Sequence, residues 1–433
     1  MHEGLPKTQK GIKGLHLLYK GVGQELVTEI SGQILTGMKN VIYTIAILIL
    51  AGLRHEAHSQ NFGWAKQVGG PMSDYCASIA VDSSGNIYTL GTFLETVDFD
   101  PGPGTFYMTS TVNHLETFIS KSDASGNFLW AKQMGRSDYA SFRSMTIDAF
   151  GNVYTTGALD GWADFDPGPG SFPLGGGSQG AVFISKIDAN GNFGWAKTIG
   201  GLFEEQGDAI SVDPMGNVYV VGLFSSTVDF DPNAGEFYMT SVGGGSFNTF
   251  ILKLDASGSF VWSKQFNAIS CENEYSIIND AQGNLYATGW FAGTPDFDPN
   301  AGIFTMASEG GSFDVFILKM NPAGNFVWAK QLGGTGNERG YSIVVDGSQN
   351  LYATGYSTAT ADFDPGPGTY NLTPVGSYSY YIVKLDSLGG FGWAKHIGAI
   401  GGNDGKGVAV DFAGNVYTTS WFTGTIKDRK SVV

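Results

Sequence analysis

Histidine, cysteine and charged residues are all scarce in this chain. Its 433 residues include six His and two Cys, and only 15% are Asp, Glu, Lys or Arg. Beyond residue 59 only His114 and His396 remain, so a histidine-based zinc site or catalytic triad has few residues to draw on. Cys76 and Cys271 occupy different positions of the repeat described below, which predicts no disulfide between them. No phosphate-binding loop or dinucleotide fingerprint is present.

Positive charge is also in short supply. The formal net charge is −16, and the segment before residue 60 is the basic part of the chain. An acidic surface repels phosphate backbones and anionic lipid headgroups, so nucleic acid and membrane surfaces are excluded as partners. With 13% aromatic residues, the composition also excludes disorder as the main state.

The N-terminal region has the three parts of a secretory signal. Met38-Lys39-Asn40 is a short basic start, Val41 to Leu53 is a 13-residue apolar run, and Ala57-His58-Ser59 supplies small residues before Gln60. The run is shorter than the roughly 20 residues that span a bilayer, which disfavours the alternative of an uncleaved anchor. We therefore predict a non-native extension over residues 1–37, a signal peptide over 38–59, and an exported chain of 60–433 with no membrane insertion after cleavage.

One repeat fills the exported chain. A Trp recurs at intervals of 65 to 67 residues, with a Phe two residues before it, a Lys two residues after it and an Asp eighteen residues after it. The six tryptophans are Trp64, Trp130, Trp195, Trp262, Trp328 and Trp393. Identity in every repeat favours packing between repeats over ligand stacking.

Each repeat predicts four strands in two tight hairpins. Ser78 to Val81 is a short apolar strand followed by an Asp-initiated Gly-Asn turn, and Thr117 to Ser122 begins a second hairpin that ends in the Trp strand. Four strands per unit, repeated around a ring, describe a β-propeller blade. The predicted fold is all-β: a propeller of six four-stranded blades over 60–433, with five full repeats of ~66 residues and a partial sixth.

The partial sixth blade leaves alternatives open. The Trp64 strand is predicted to close it beside the C-terminal strands, which still leaves this blade without its third strand. The repeat pattern stops after Thr425, so a truncated chain, or a fragment of a larger or seven-bladed propeller, is the alternative.

These motifs resemble the bacterial SBBP-type β-propeller repeat. The likeness lies in stretches such as Ser78 to Asp82 with Gly85 to Tyr88, and Phe250 to Asp255. The blades are also similar to NHL-type blades and, at Asp255 to Gly258 with Trp262, to the tryptophan-docking blades of quinoprotein-like propellers. Those families bind very different partners, so the resemblance implies architecture and not activity.

The sequence Asp-Phe-Asp-Pro occurs five times, between the second and third strands of a repeat. Its paired carboxylates and the following bend supply part of a calcium ligand set, so calcium is the candidate cofactor. The sequence indicates no other cofactor. The alternative is that these carboxylates cap the turn or pair with the repeated Lys. The candidate metal ligands are Asp98, Asp100, Asp164, Asp166, Asp229, Asp231, Asp296, Asp298, Asp362 and Asp364.

Further acids lie in the loops between one repeat's last strand and the next repeat's first. Both loop sets emerge on one face of an up-and-down blade, which predicts an acidic, loop-rich face that binds the partner. A merely solvated surface is the alternative. The candidate binding-face acids are Asp74, Asp138, Glu205, Glu272, Glu338 and Asp404.

The functional expectation is a binding or structural scaffold rather than an enzyme. Near-equal sites around a ring suit binding, whereas catalysis needs one asymmetric site. The expected partner is an unknown protein or glycan, and the chain is expected to be a monomer. The signal peptide and the bacterial resemblance imply a secreted or cell-surface protein of a Gram-negative bacterium, with the periplasm as the alternative. The alternative function is a polysaccharide lyase or hydrolase with its site in the central channel. The asymmetry that such a site needs is represented by one core-strand residue, Asn279, where the other repeats have Val or Ile.

Overall fold

The structure, a computed structural model, describes residues 63–111, 115–135, 140–177, 180–200, 203–242, 247–267, 276–398 and 403–422. All of its strands lie in the larger of two compact units; the smaller, Gly21–Lys66, is described only over residues 63–66, which form no strand. The predicted extension and signal peptide lie outside the described residues. Within those residues, no helix has the length and apolar character needed to cross a membrane.

Blades 1, 2, 3 and 5 are antiparallel sheets of four strands, and blade 6 is a sheet of two. The four strands of blade 4 belong to a sheet of six, because they continue into a short hairpin of blade 5 described below. The first strands of the blades are β1 (Tyr75–Val81), β7 (Ala140–Ile147), β13 (Gln206–Val212), β19 (Ser276–Asn279), β23 (Glu338–Val345) and β29 (Asn403–Val410). The second strands are β2 (Ile87–Phe93), β8 (Val153–Leu159), β14 (Val218–Phe224), β20 (Leu285–Phe291), β24 (Leu351–Ser357) and β30 (Val416–Phe422).

The third and fourth strands form the outer hairpin of each complete blade. The third strands are β5 (Glu116–Ser122), β11 (Ala181–Ile187), β17 (Asn248–Leu254), β21 (Asp314–Met320) and β27 (Ser379–Leu385). The fourth strands are β6 (Phe128–Met134), β12 (Phe193–Gly200), β18 (Phe260–Phe266), β22 (Phe326–Gly334) and β28 (Phe391–Ile397). Five complete blades and a two-stranded sixth confirm the predicted all-β propeller with an incomplete last blade.

A short hairpin that the sequence did not predict follows the second strand in most blades. It pairs β3 (Thr96–Asp98) with β4 (Tyr107–Thr109), β9 (Trp162–Asp164) with β10 (Pro173–Gly175), β15 (Thr227–Asp229) with β16 (Tyr238–Thr240), and β25 (Ala361–Asp362) with β26 (Asn371–Leu372). Blade 4 has a single bridge, Asp296 to Thr305, at this place, followed by a 3-10 turn over Glu309–Gly311. The Asp-Phe-Asp-Pro sequence therefore sits at the tip of a hairpin rather than in an open loop.

The core lies between consecutive blades. Val182 and Ile184 of blade 2 share a buried cluster with Ile210, Val220 and Leu252 of blade 3, and these side chains are at most 4% exposed. The first strands contact one another around the centre, from β1 to β7 and on through β13, β19 and β23 to β29. Blades 2 to 5 therefore lie between two neighbours, whereas the first strand of blade 1 is largely exposed, with Ile79 66% and Val81 59% exposed.

The prediction that the Trp64 strand closes the sixth blade is not met over the described residues. Gly63 to Val68 form no strand, and Gly69 makes one bridge, to Asp98 of blade 1. In the complete blades the Trp strand pairs with a third strand, as β6 does with β5. Blade 6 has no third strand among the described residues.

Candidate functional site

The Asp that ends each first strand organises the inner turn. Asp213 accepts hydrogen bonds from the backbone N–H groups of Met215 and Asn217, from Asn217 Nδ2 at 2.7 Å, and from the Tyr219 hydroxyl at 3.2 Å. The same network recurs at Asp82, Asp148, Asp280, Asp346 and Asp411. At Asp82 burial opposes ionisation, but the hydrogen bonds from Asn86 and Ser84 outweigh it and lower the pKa of the carboxyl. These six carboxylates are structural.

The repeated Trp joins consecutive blades. Trp130 Nε1 donates to the Ala189 carbonyl of the next blade at 3.1 Å, and Lys121 Nζ donates to the same carbonyl at 3.3 Å. Lys121 pairs in register with both Trp130 and Tyr88, and its ammonium lies 4.7 Å from the Tyr88 ring centroid. The indoles of Trp195 and Trp262 make the equivalent bonds. The interpretation of the repeated Trp as packing between blades is confirmed for the five that pack against buried clusters of two consecutive blades, Trp130, Trp195, Trp262, Trp328 and Trp393.

The Asp-Phe-Asp-Pro carboxylates accept backbone hydrogen bonds at the hairpin tip. Asp229 Oδ1 accepts from the N–H of Asp231 at 3.1 Å and of Phe237 at 2.8 Å, and Asp231 Oδ1 accepts from the N–H of Asn233 at 2.9 Å. The other four copies repeat this pattern at Asp98 with Asp100, Asp164 with Asp166, Asp296 with Asp298, and Asp362 with Asp364. This geometry is what the turn-capping alternative requires, and it does not test calcium binding at these residues.

The described residues bring no three His, Cys, Asp or Glu side chains together as a metal group. Since capping accounts for one oxygen of each aspartate, we expect the thermal unfolding midpoint of the Gln60–Val433 chain to be the same in excess calcium and in EDTA. The control is the chain with Asp229 and Asp231 both replaced by Asn. A rise in calcium that this variant reduces would establish a calcium site, because a ligand at 100 times its dissociation constant adds about 2.7 kcal/mol.

Two of the predicted binding-face acids are buried, which corrects the expectation of an exposed acidic face at those positions. Glu205 is 1% exposed and Glu338 is 0% exposed. Asp74 is half-buried and accepts from the Gly70 N–H at 2.7 Å. Asp138 and Glu272 lie outside the described residues, and Asp404 lies in β29 with a side chain that is not described.

Glu338 lies near a second buried carboxyl where blades 4 and 5 meet. Asp314 accepts from Gln331 Nε2 at 2.5 Å and from the Glu309 N–H at 3.3 Å, while Glu338 accepts from the Gly334 N–H at 3.0 Å. Burial raises the pKa of Asp314 to about 6, and burial together with the Asp314 charge raises the pKa of Glu338 to about 7.

The raised values fix the sign of the pH dependence. In the unfolded chain the two carboxyls titrate near 3.8 and 4.5. Between about pH 4 and pH 7 they therefore hold more protons in the folded chain than in the unfolded one, so this pair makes the chain less stable as the pH rises. We expect the total loss of unfolding free energy over this pH range to be ~2 kcal/mol smaller in Glu338→Gln than in wild type. Urea unfolding at several pH values measures it. Glu236→Gln, at an exposed position, should leave the slope unchanged. Parallel slopes for wild type and Glu338→Gln would contradict the assignment.

The first strands share a β-bulge at one position. The register shifts across Ala77, Arg143, Asp208, Tyr341 and Lys406, each thirteen residues after its repeat Trp. A bulge turns its extra side chain away from the regular alternation, and such bulges occur beside functional sites. All five residues line a central cavity of about 500 Å³, at the end where the first strands begin. We call these five residues the channel ring.

The channel ring pairs its side chains across blade boundaries. Arg143 of blade 2 donates to Asp208 Oδ1 of blade 3 at 3.1 Å, and the Asp208 side chain is 1% exposed. Lys406 of blade 6 places its ammonium 4.0 Å from the Tyr341 ring centroid of blade 5. Burial raises the pKa of Asp208 to about 7, and the Arg143 charge only partly offsets that effect.

Directly after the ring, serine hydroxyls tie the blades together. Ser144, Ser276 and Ser342 accept the backbone N–H groups of Ile210, Ile343 and Val408, each from the next blade, at 3.2 to 3.3 Å. Asn279 has a comparable role, since its Oδ1 accepts from Ser211 Oγ of the preceding blade at 2.5 Å. The cavity wall is therefore fixed by bonds between blades.

The sequence did contain a signal for the channel ring. Aligned on the repeat Trp, position thirteen reads Ala77, Arg143, Asp208, Tyr275, Tyr341 and Lys406, whereas the next position is a small residue, Ser, Ala or Gly, in every repeat. Tyr275 lies outside the described residues. An alignment of the repeats shows this variation, whereas the motifs shared by all repeats do not contain it.

Comparisons with known proteins agree with the repeat and the fold. The SBBP β-propeller repeat family matches residues 63–92 and 327–364, which contain the first hairpins of blades 1 and 5. An uncharacterised WD repeat-containing protein of Acanthamoeba polyphaga mimivirus is 25% identical over 415 residues, 81% of this chain and 30% of that protein. The regulatory protein FlaEY of Caulobacter vibrioides is 26% identical over 157 residues, 35% of this chain and 16% of FlaEY. The chain thus spans less than a third of either relative.

Two solved structures are similar at low identity. A protein of unknown function from Bacteroides caccae is 10% identical, with a TM-score of 0.31 over 64% of this chain and 89% of that one. The extracellular domain of a putative hybrid two component system from B. thetaiotaomicron is 11% identical, with a TM-score of 0.22 over 80% of this chain and 52% of that one.

Proposed function

Because the chain carries β-propeller repeats of the SBBP type, we propose that it is an exported binding module that takes a small polar ligand into the central cavity. One observation carries this proposal: the channel ring is the position where the otherwise regular repeat becomes chemically varied. The inner-turn aspartates, the Trp130 and Lys121 donors and the Asp-Phe-Asp-Pro hairpins have structural partners.

The dimensions of the cavity suit a small molecule. Its volume of about 500 Å³ falls within the range of ligand pockets, ~300 to 1,000 Å³. The hydrogen bonds between neighbouring first strands hold its wall in place before a ligand arrives, so little order has to be gained on binding.

A channel variant tests the binding role. We expect at least one compound in a panel of neutral, acidic and amino sugars and amino acids to raise the unfolding midpoint of the wild-type Gln60–Val433 chain. A chain with Asp208→Asn and Lys406→Gln should fold and lose that response. A panel without any response, or an equal response in both chains, would overturn binding in the cavity.

Asp208 also supports a second candidate, the propeller enzyme acting on polysaccharide. A buried carboxyl beside an arginine, with a pKa near 7, has the properties of a general acid or base. Oligosaccharide turnover by wild type and its loss in Asp208→Asn, measured by the release of new chain ends, would replace the binding proposal with this one.

Export has its own test. We propose that the signal sequence directs the chain out of the cytoplasm, on the evidence of the 38–59 segment alone. N-terminal sequencing of the native protein should begin at Gln60. Any residue before Met38 in the native protein would refute both the start site and the cleavage.

A further inference from the structure

We infer that the exposed face of β1 and the edge of β30 form a docking site for an extended segment of a partner polypeptide. The segment that fits has the residue pattern of a third strand, pairs with β30 and covers Ile79. This inference goes beyond the proposed function and does not depend on the ligand of the central cavity. It is carried by the exposure of Ile79 and by the five blade boundaries that the chain forms within itself.

Ile79 occupies a position that is buried in every other blade. It lies fifteen residues after the repeat Trp and is 66% exposed. The strands β1 and β29 both line the central cavity and are the two ends of the series of first strands, so this face of β1 is the one against which a preceding blade packs. The residues at the same position in blades 2 to 6 are only 3 to 9% exposed: Met145, Ile210, Ile277, Ile343 and Val408.

The third strand of the preceding blade covers this position with an isoleucine at all five boundaries. Ile119 shares a buried cluster with Met145, and the other four boundaries repeat the pair. The five isoleucines are at most 2% exposed: Ile119, Ile184, Ile251, Ile317 and Ile382. Blade 6 has no third strand in the part of the chain that the structure describes, which accounts for the exposure of Ile79.

The edge of β30 supplies the backbone groups for docking. In each complete blade the second strand pairs antiparallel with the third along its whole length, as β14 does with β17. Over the described ranges, β30 pairs with β29 alone. A strand edge offers a row of N–H and C=O groups to an extended chain, and peptides bind proteins by adding a strand at such an edge.

The side chains of β17 show what the added strand must carry. Its alternate residues Ile251 and Lys253 both face the next blade. Ile251 shares a buried cluster with Ile277, and Lys253 Nζ donates to the Pro322 carbonyl at 2.9 Å. Phe250, on the opposite face, packs in the cluster shared with blade 2.

The same register at blade 6 gives each of these residues a place. Lys253 lies 4.9 Å from the ring centroid of Tyr219 in the second strand, and Tyr417 is the corresponding residue of β30. Tyr417 is half-buried. An added strand in this register sets its Ile against Ile79 and its Lys over Tyr417. The partner segment therefore reads aromatic, Ile, any residue, Lys.

The donor of this segment is a different polypeptide rather than a second copy. In a folded copy, β17 pairs with β14 on one side and β18 on the other, and all seven of its residues are buried. A second copy could lend such a strand only by unfolding one of its own blades. A partner that carries the pattern in an unpaired segment has no such cost.

The test is the fluorescence anisotropy of a labelled synthetic peptide with the sequence Asn248–Leu254, titrated with the Gln60–Val433 chain. We expect saturable binding. A second peptide, with Ile251 and Lys253 exchanged, has the same composition but sets an ammonium against Ile79. It should bind about tenfold or more weakly, because burial of an isoleucine is lost.

Matched variants of the chain locate the site. Ile79→Asp should weaken binding of the first peptide about tenfold or more, and the exposure of Ile79 means that this change removes no buried contact from the free chain. Ile303→Asp, at an isoleucine of blade 4 that is 82% exposed, should leave the affinity unchanged.

Three results would overturn the docking site: no binding of the first peptide, equal binding of the two peptides, or an affinity that Ile79→Asp does not change. If Ile79→Asp fails to fold, the comparison of the two peptides decides alone. Sedimentation of the wild-type chain tests the other occupant. A dimer that Ile79→Asp dissociates would identify a second copy as the partner and overturn the proposal of a different polypeptide.

Discussion

Replacement of Asp213 by Ala should cost about 3 to 5 kcal/mol of unfolding free energy, one of the two largest effects expected in this chain. The carboxylate is 4% exposed and accepts four hydrogen bonds. Truncation leaves Asn217 Nδ2 and the Tyr219 hydroxyl without their acceptor in a buried site, and the desolvation penalty of each donor adds to the lost turn. Urea unfolding of wild type and variant measures the difference.

The outer hairpin of blade 2 provides a matched control. Asp188 accepts from the N–H groups of Asn190 and Asn192 and from Asn192 Nδ2, so its turn is the same, but no tyrosine bonds to it and its bonds are exposed. Asp188→Ala should cost ~1 kcal/mol, because water replaces the lost acceptor. Equal costs at the two positions would show that the turn itself, and not the buried network, determines the effect.

Phe230→Ala should destabilise the chain by a similar amount, about 3 to 5 kcal/mol. The Phe230 side chain is 0% exposed, and its ring centroid lies 5.1 Å from that of Phe224 and 5.0 Å from that of Phe250. The central residue of the Asp-Phe-Asp-Pro motif therefore anchors the short hairpin into the blade. Its removal leaves a cavity that neighbouring strands, held by their ladders, cannot fill.

Two variants in the same hairpin make this prediction specific. Phe237 is 38% exposed and contacts Phe260 with ring centroids 4.9 Å apart, so Phe237→Ala should cost ~1 to 2 kcal/mol. Asp231→Asn preserves an oxygen acceptor at the tip and should cost less than ~1 kcal/mol. If Asp231→Asn proved the more damaging change in calcium but not in EDTA, the motif would have a metal role in place of this anchoring role.

Repetition explains why the blade was predictable. A feature that occurs in every repeat, such as Trp130 or the Asp82 turn, must serve contacts that every blade makes, and both side chains have the packing and turn roles that their periodicity indicated. The short hairpin at β3 and β4 was missed because three-residue strands are too brief for an alternating pattern to register. Its Phe99 anchor is visible only once the fold is known.

The site was harder to predict for a different physical reason. Carboxylates are normally solvated, so Glu338 in a loop between blades suggested a surface acid, whereas the chain buries it between two blades and raises its pKa. A bulge shifts the register of a strand by one residue, and no sequence pattern of apolar and polar residues marks where Arg143 or Lys406 leaves the alternation. The direction of these side chains follows from backbone pairing alone.

The donor and acceptor groups that join the blades affect how such a chain can evolve by gaining or losing repeats. In blades 1 and 3 the unit contributes an indole and an ammonium that both donate to a turn carbonyl of the next blade, as Trp262 and Lys253 do to Pro322. A copied unit inserted into the gene would arrive with both halves of its own connection, so gain or loss of a unit requires no compensating substitution. The bulge contributes no part of that donor and carbonyl connection, and its side chains differ from copy to copy while pairing across blade boundaries, as Arg143 with Asp208 does.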